Sequence, residues 1–307
     1  MNWFADESLP RAPGSLGPQG PQGPLVTSPV HDALVRARDS LRAARASDAP
    51  AQSARRVRCS LDLGRSESDV EVGPEHWGWN GQLFPYLPEC KERTIYHWDG
   101  EAFRVASRYA GSLIKLVPTP WGPPTFEIDG IKMLPTERVS PWDDAERKVA
   151  LVRPRGKLLL DTCGGLGYFA ACGLKSGAAG IRSYEKNADV IWLRSLNPWS
   201  PRAGGPLNLI HADVVTEVAT LPADSVDAIL HDPPRFGIAG ELYSEDLYQQ
   251  LARVLRRKGL LYHYTGAPNR LTSGRDVARE VAARLRRAGF AAQLAQDGVL
   301  AVREADR

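Results

Sequence analysis

The chain has 307 residues, 43% hydrophobic and 24% charged, with a formal net charge of +3. That is apolar material enough for two domains, and too little excess charge to name a nucleic-acid partner by itself. With no run of about 18 apolar residues, no membrane span is expected. The four cysteines, Cys59, Cys90, Cys163 and Cys172, form no Cys-x-x-Cys pair, so neither a metal site nor a disulfide framework is expected. The Arg- and Ala-rich start also carries Asp6, Glu7, Asp32, Asp39 and Asp48, which is acidic for a transit peptide; a cytoplasmic protein is the expectation.

Residues 1–55 read as a poorly ordered, linker-like region. Gly14 to Pro24 is Gly/Pro/Gln low complexity, and one helix is predicted from Val30 to Ala44. Residues 56–139 read as a small β-rich domain. Strands are expected at Val57–Leu63, Thr94–Trp98, Ala102–Ser107, Ser112–Val117 and Thr125–Leu134. Asp129-Gly130, between alternating apolar residues, is a hairpin turn. Trp77, Trp79, Trp98 and Trp121 are expected in the core or at its rim rather than as base-stacking platforms.

From 140 to 307 the rhythm is βαβα. Strands are predicted at Gly156–Asp161, Ile181–Glu185, Leu207–Ala212, Val226–Leu230 and Leu260–Tyr264, with helices at Tyr168–Ser176, Asn187–Asn197, Ser244–Leu255 and Asp276–Ala288 between and after them. Ala291–Ala295 and Val299–Arg303 form a terminal strand pair around Asp297-Gly298. The expected fold is α/β, a Rossmann-like sheet that is mostly parallel with one antiparallel strand.

Asp161 to Ala170 reads Asp-Thr-Cys-Gly-Gly-Leu-Gly-Tyr-Phe-Ala, at once D-x-x-x-G-x-G and G-x-G-x-x-A. A strand before it and a helix after it give the context in which such glycines cradle a nucleotide. Glu185 ends the next strand and can accept hydrogen bonds from both ribose hydroxyls. Asp213, after the third strand, is placed to face an adenine amino group or to cap a helix. The expected cofactor-binding set is Asp161, Cys163, Gly165, Gly167, Glu185, Lys186, Asp213 and Val214. The fourth strand ends in His231-Asp232-Pro233-Pro234-Arg235-Phe236. The two prolines fix that loop, and Asp232 can accept a hydrogen bond from an amino group, which is positioning chemistry. Asp232, Pro233, Pro234, Arg235 and His231 are the catalytic candidates, with His231 and His263 considered as bases. Phe236, Tyr243, His263 and Arg275 are expected to contact the acceptor.

Asp232-Pro-Pro-Arg resembles the (Asp/Asn/Ser)-Pro-Pro-aromatic motif of S-adenosylmethionine (SAM)-dependent methyltransferases that modify amino groups of nucleic acids. Arg235 stands where that family has an aromatic, and Phe236 follows one step later. With Asn197-Pro-Trp-Ser200, Gly240-Glu-Leu-Tyr-Ser244, Lys115-Leu-Val-Pro-Thr119, Pro124 to Gly130 and Ser140-Pro-Trp-Asp143, the chain resembles a group of methyltransferases best known from archaea, over about Leu61 to Arg303. The resemblance implies a class I methyltransferase sheet and SAM, without fixing the substrate; the expected acceptor is an amino nitrogen of a nucleic acid, RNA ahead of DNA. Transfer to pyrimidine C5 needs a thiolate, and no cysteine follows Cys172. Rival readings are a small-molecule N- or O-methyltransferase, an aminopropyltransferase like spermidine synthase, disfavoured by a single acid in the fourth-strand loop, a NAD-dependent oxidoreductase, and a binding module without activity. Ten Lys/Arg between Gln249 and Phe290 read mainly as a helix end suited to the dipole, with Arg270, Arg275 and Arg279 as candidates for phosphates.

Overall fold

The computed structural model describes residues 23–46, 54–266 and 276–304. Among these, 23–46, 54–141 and 195–199 form one compact unit, and 142–194, 200–266 and 276–304 another.

The first unit begins with strand β1 (Leu25–Val26) and helix α1 (Ser28–Ala46). It continues through β2 (Arg55–Cys59), β3 (Ser68–Val72), β4 (His76–Trp79) and β5 (Gln82–Pro85), an antiparallel sheet in sequence order. β6 (Tyr96–Trp98) and β7 (Phe103–Val105) complete a sheet with β1, while β8 (Ser107–Tyr109), β9 (Leu113–Val117), β10 (Thr125–Ile128) and β11 (Ile131–Lys132) form a third. Over residues 23–46 the linker-like reading is corrected; the rest of that region up to residue 53 lies outside the described residues. Val30, Leu34, Ala37 and Leu41 recur at helical spacing on α1 and are buried with Val70, Val72, Trp77 and Phe84. The expected hairpin at Asp129-Gly130 joins β10 to β11, with Asp129 and Gly130 both at positive φ. Trp77 stacks on Phe84 at 4.7 Å between ring centroids and is core; Trp121 is exposed.

The second unit is introduced by α2 (Pro141–Leu151). Then follow β12 (Leu158–Asp161), α3 (Tyr168–Lys175), β13 (Gly180–Glu185), α4 (Ala188–Leu196), β14 (Leu207–His211), α5 (Val214–Glu217), β15 (Val226–His231), α6 (Glu245–Val254), β16 (Leu255–Tyr264), α7 (Val277–Arg287), β17 (Phe290–Ala295) and β18 (Gly298–Arg303). The seven strands lie in the order β14-β13-β12-β15-β16-β18-β17. β12 to β16 are parallel, and β18 runs antiparallel to both β16 and β17. Helical crossovers supply the parallel pairings, and the final hairpin inserts the reversed strand, as the α/β expectation required. Leu160, Ile229, Leu261, Leu251, Val281 and Leu285 share one buried core between sheet and helices. β16 starts five residues earlier than predicted, so Arg256, Arg257 and Lys258 lie in an irregular strand entry and not at a helix end. No helix of the described residues is long and apolar enough to cross a membrane.

Candidate functional site

Asp161, Glu185, His211, His231 and Tyr264 end five parallel strands at one edge of the sheet. The β17–β18 turn returns to that edge, because Gly298 pairs with Tyr264. Strand order reverses between β12 and β15, the place where open α/β sheets take ligands.

The turn from β12 into α3 depends on its glycines. Gly165 and Gly167 have φ of 49° and 85°, the left-handed region. A Cβ on Gly167 would come within 2.5 Å of the Arg194 guanidinium carbon. Arg194 extends from α4 beneath this turn. It is buried, and its two terminal nitrogens have no hydrogen-bond partner among the described residues. Burial weakens its hold on the proton, and the charges of Asp161 and Glu185 oppose that effect. Arg194 was not among the sequence candidates; the available signal was an arginine directly after buried Val190, Ile191 and Leu193.

Asp161 is fully buried. Its Oδ2 accepts from Ser183 Oγ at 2.7 Å, and its Oδ1 has no partner. Burial pushes its carboxyl up to about 6, against the Ser183 hydrogen bond and the Arg194 charge. Glu185 ties the turn to the second strand: Oε2 accepts from Gly165 N and Oε1 from Asn187 N, both at 2.8 Å. Burial raises its pKa while those N–H groups oppose. Asp213 caps α5 by accepting from Val215 N at 3.0 Å, and its other oxygen meets Lys186 Nζ at 2.8 Å. Burial would raise the Asp213 pKa, but these partners hold it below its usual range. Lys186 is thus paired, and the Val214 side chain is core. Cys163 lies half-buried, and burial holds its thiol well above the ordinary range, so it is no nucleophile.

Several residues expected on the acceptor side turn inward. His231 is fully buried, with Nδ1 2.6 Å from Thr162 Oγ1 and Nε2 2.8 Å from the Leu242 carbonyl. His263 is equally buried, between Tyr248 Oη and the Tyr264 carbonyl, both at 2.8 Å. The two rings meet edge to face at 4.4 Å. Burial pushes His231 down to about 4, and burial with His231 beside it takes His263 well below its ordinary value. Neither ring has a nitrogen left for a substrate, which corrects the base and acceptor roles given to them. The Tyr243 hydroxyl donates to the Pro234 carbonyl at 2.9 Å, and Phe236 packs on Tyr243 and Arg284. Both pack against the loop that carries Asp232. Arg235 is half-buried, its carbonyl turning the chain through Ile238 and Ala239. Arg275 lies outside the described residues.

Asp232 remains at the crevice, and it is not alone. Lys148, from α2, places Nζ 3.5 Å from Asp232 Oδ2, 2.7 Å from Asp144 Oδ2 and 3.6 Å above the Tyr264 ring. Arg147 joins Asp144 at 2.8 Å and Asp297 at 3.7 Å. Three carboxylates therefore meet where the fourth-strand loop alone supplies one. The basic residues of the last third are mostly engaged within the fold. Arg253 donates to the carbonyls of Leu221, Val218 and Ala219, Arg256 to Asp227, Arg279 pairs with Asp276, and Arg287 with Glu245.

The residues around the glycine turn are of the kind that could hold an adenosyl group. The left-handed glycine turn brings backbone to the crevice, a strand-end carboxylate stands behind it, and polar atoms of Asp161 and Arg194 beneath it lack partners.

No protein-family model matches the chain. An uncharacterized protein of Methanocaldococcus jannaschii is 41% identical over 194 residues, 62% of this chain and 66% of that protein, so the match falls just short of two thirds of the relative's length. Among solved structures, spermidine synthase in complex with the transition-state analogue AdoDATO is similar with a TM-score of 0.51 at 18% identity, over 65% of this chain and 73% of that one. A SAM-dependent methyltransferase from Mesorhizobium loti is similar more loosely, with a TM-score of 0.39 at 16% identity, over 53% of this chain and 100% of that one. The spermidine synthase likeness shows the fold: a seven-stranded sheet with a reversed strand beside its edge.

Proposed function

We propose that this protein is a SAM-dependent methyltransferase acting on an amino nitrogen. The observation that carries the reading is one sheet edge holding two halves: the glycine turn backed by Glu185, and Asp232 on a loop fixed by Pro233 and Pro234. SAM supplies an activated methyl group on a sulfonium. Each Glu185 oxygen, with one backbone N–H already bound, retains a lone pair for a ribose hydroxyl. Asp232 accepts an N–H of the acceptor and aims the nitrogen, which is catalysis by orientation. An aromatic amine needs no strong base, consistent with two histidines closed off in the core. The motif's resemblance puts a nucleic-acid amino group first among acceptors, RNA ahead of DNA; the engaged arginines add nothing to that choice.

Aminopropyl transfer is the second reading, favoured by Asp144 and Asp297 gathering near Asp232. It ranks lower because Lys148 already occupies the space between Asp144 and Asp232 as a resident ammonium. Calorimetric titration with SAM, S-adenosylhomocysteine, decarboxylated SAM and NAD decides between them. Micromolar binding of the first two without NAD, followed by methylation of cellular RNA, is expected. Preference for decarboxylated SAM would replace methyl transfer by aminopropyl transfer, and no binding by any would leave a module without activity.

A further inference from the structure

Ser140-Pro-Trp-Asp143 opens α2, where Trp142 meets Tyr168 edge to face at 6.2 Å, and α2 goes on to carry Asp144 and Lys148 one helical turn apart, both buried. We propose that Asp144 and Lys148 are positioning residues that fix the carboxylate of Asp232 toward the acceptor nitrogen. The inference rests on the acceptor role given above to Asp232.

Lys148 engages Asp232 through Oδ2, and Oδ1 takes no part in the pair. Side-chain exposure rises from 1% at Lys148 and 4% at Asp144 to 17% at Asp232. The cluster is sealed at its lysine end and opens at Asp232. Tyr264 covers the ammonium with its ring face. Asp144 is held from another side by Arg147, and Asp297 by Arg147 and by the Tyr262 hydroxyl at 2.6 Å. The groups facing Asp232 are therefore Asp144 and Lys148 from α2, Tyr262 and Tyr264 from β16, Asp297 from the β17–β18 turn, Asp161 from the end of β12 and Cys163 from the turn after it.

The division of labour follows. Pro233 and Pro234 fix the backbone, and Lys148 fixes the side chain that the backbone presents. Burial raises the Asp232 pKa and the Lys148 charge opposes it. Burial would also strip the Lys148 proton, but Asp232 and Asp144 more than offset that and hold it above its ordinary range. A carboxylate kept ionised accepts an N–H; protonated, it would offer an O–H to a nitrogen whose lone pair must stay free for the methyl group. Three acids against Arg147 and Lys148 leave the cluster one negative charge in excess. That suits a neutral acceptor nitrogen at this spot and repels a phosphate.

The test is a titration of the Asp232 carboxyl carbon by nuclear magnetic resonance on the full chain labelled in aspartate, assigned by Asp232→Asn, from pH 5 to 9. Wild type, Lys148→Met, Lys148→Gln and Lys148→Arg are compared, with SAM affinity measured calorimetrically on each. The Asp232 midpoint is expected to lie above the ordinary aspartate range yet below pH 6 in wild type and Lys148→Arg. It should rise by at least one pH unit in Lys148→Met or Lys148→Gln, while SAM affinity stays within three-fold. An unmoved midpoint in a neutral variant would overturn the proposal. So would a wild-type midpoint above pH 6, which needs no variant to fold. Loss of SAM binding as large as in Glu185→Ala would move Lys148 to the donor half. If the wild-type chain binds no SAM, the methyltransferase reading fails, while the titration still decides whether Lys148 governs Asp232.

Discussion

Charge is buried at two places along the same sheet edge, and the two are built on opposite terms. Beneath the glycine turn, Asp161 and Arg194 are buried with polar atoms unpaired, and neither touches the other as an ion pair. Above β15 and β16, Lys148 is equally buried but saturated, between two carboxylates and a tyrosine ring. Unpaired buried groups cost free energy and persist where a ligand, a water or a function compensates them. A saturated cluster instead fixes geometry. In the function proposed above, the first is the donor half and the second the acceptor half.

The largest test of this contrast is Lys148→Met, which leaves Asp144 and Asp232 uncompensated and should cost about 3–5 kcal/mol of stability. Arg194→Met should cost less, since no hydrogen bond of its terminal nitrogens is lost. Equal costs in urea unfolding would erase the distinction.

Acid titration of stability comes next, and its two terms have opposite sign. His231 has its folded pKa lowered to about 4, so stability is lost as pH falls from about 6.5 through 4. Asp161 has its folded pKa raised to about 6, so its term is full below about 4 and is lost as pH rises through 6. Each shift corresponds to roughly 3 kcal/mol, and they offset one another. Asp161→Asn should therefore steepen the loss of stability between pH 6.5 and 4, and His231→Gln should reverse it, read as melting temperature against pH. Parallel curves for the three proteins would contradict both assignments.

A smaller effect is expected at Glu185. Its replacement by Ala should weaken SAM binding by roughly 1–3 kcal/mol and leave the Asp232 titration in place. A changed Asp232 midpoint with unchanged SAM affinity would invert the two halves. The smallest belongs to Lys186, whose pair with Asp213 is solvent-exposed. Lys186→Ala should change stability by less than about 1 kcal/mol, and a larger loss on thermal unfolding would show that the pair is structural.

How far these halves were legible differs for physical reasons. The donor half is local: a glycine turn and two strand-end acids are set by neighbours in sequence, and turn chemistry announces itself. Arg194 escaped because an arginine at a helix end reads as a cation favoured by the dipole. The acceptor half is assembled from α2, β15, β16 and the last hairpin. Asp144 and Lys148 are four residues apart, a spacing that on most helices means a solvent-facing ion pair. His231 and His263 were misplaced because a central strand is covered on both faces, so alternation cannot say which face meets the crevice. The early start of β16 was hidden by Arg256, Arg257 and Lys258, which mimic a helix terminus. Similarly, Val30, Leu34, Ala37 and Leu41 are a regular apolar stripe diluted by arginine and alanine until it resembles a linker.

That stripe decides where the chain can be cut. Composition invites truncation at residue 55, just before a run of obvious strands. Such a piece would lack β1, whose Leu25 and Val26 pair with His97 and Tyr96, and the helix that covers Val70 and Trp77. It would present a raw sheet edge beside an uncovered aromatic core, the combination that drives chains to associate. Fragments for expression, and any fused partner, should therefore start ahead of Gly23.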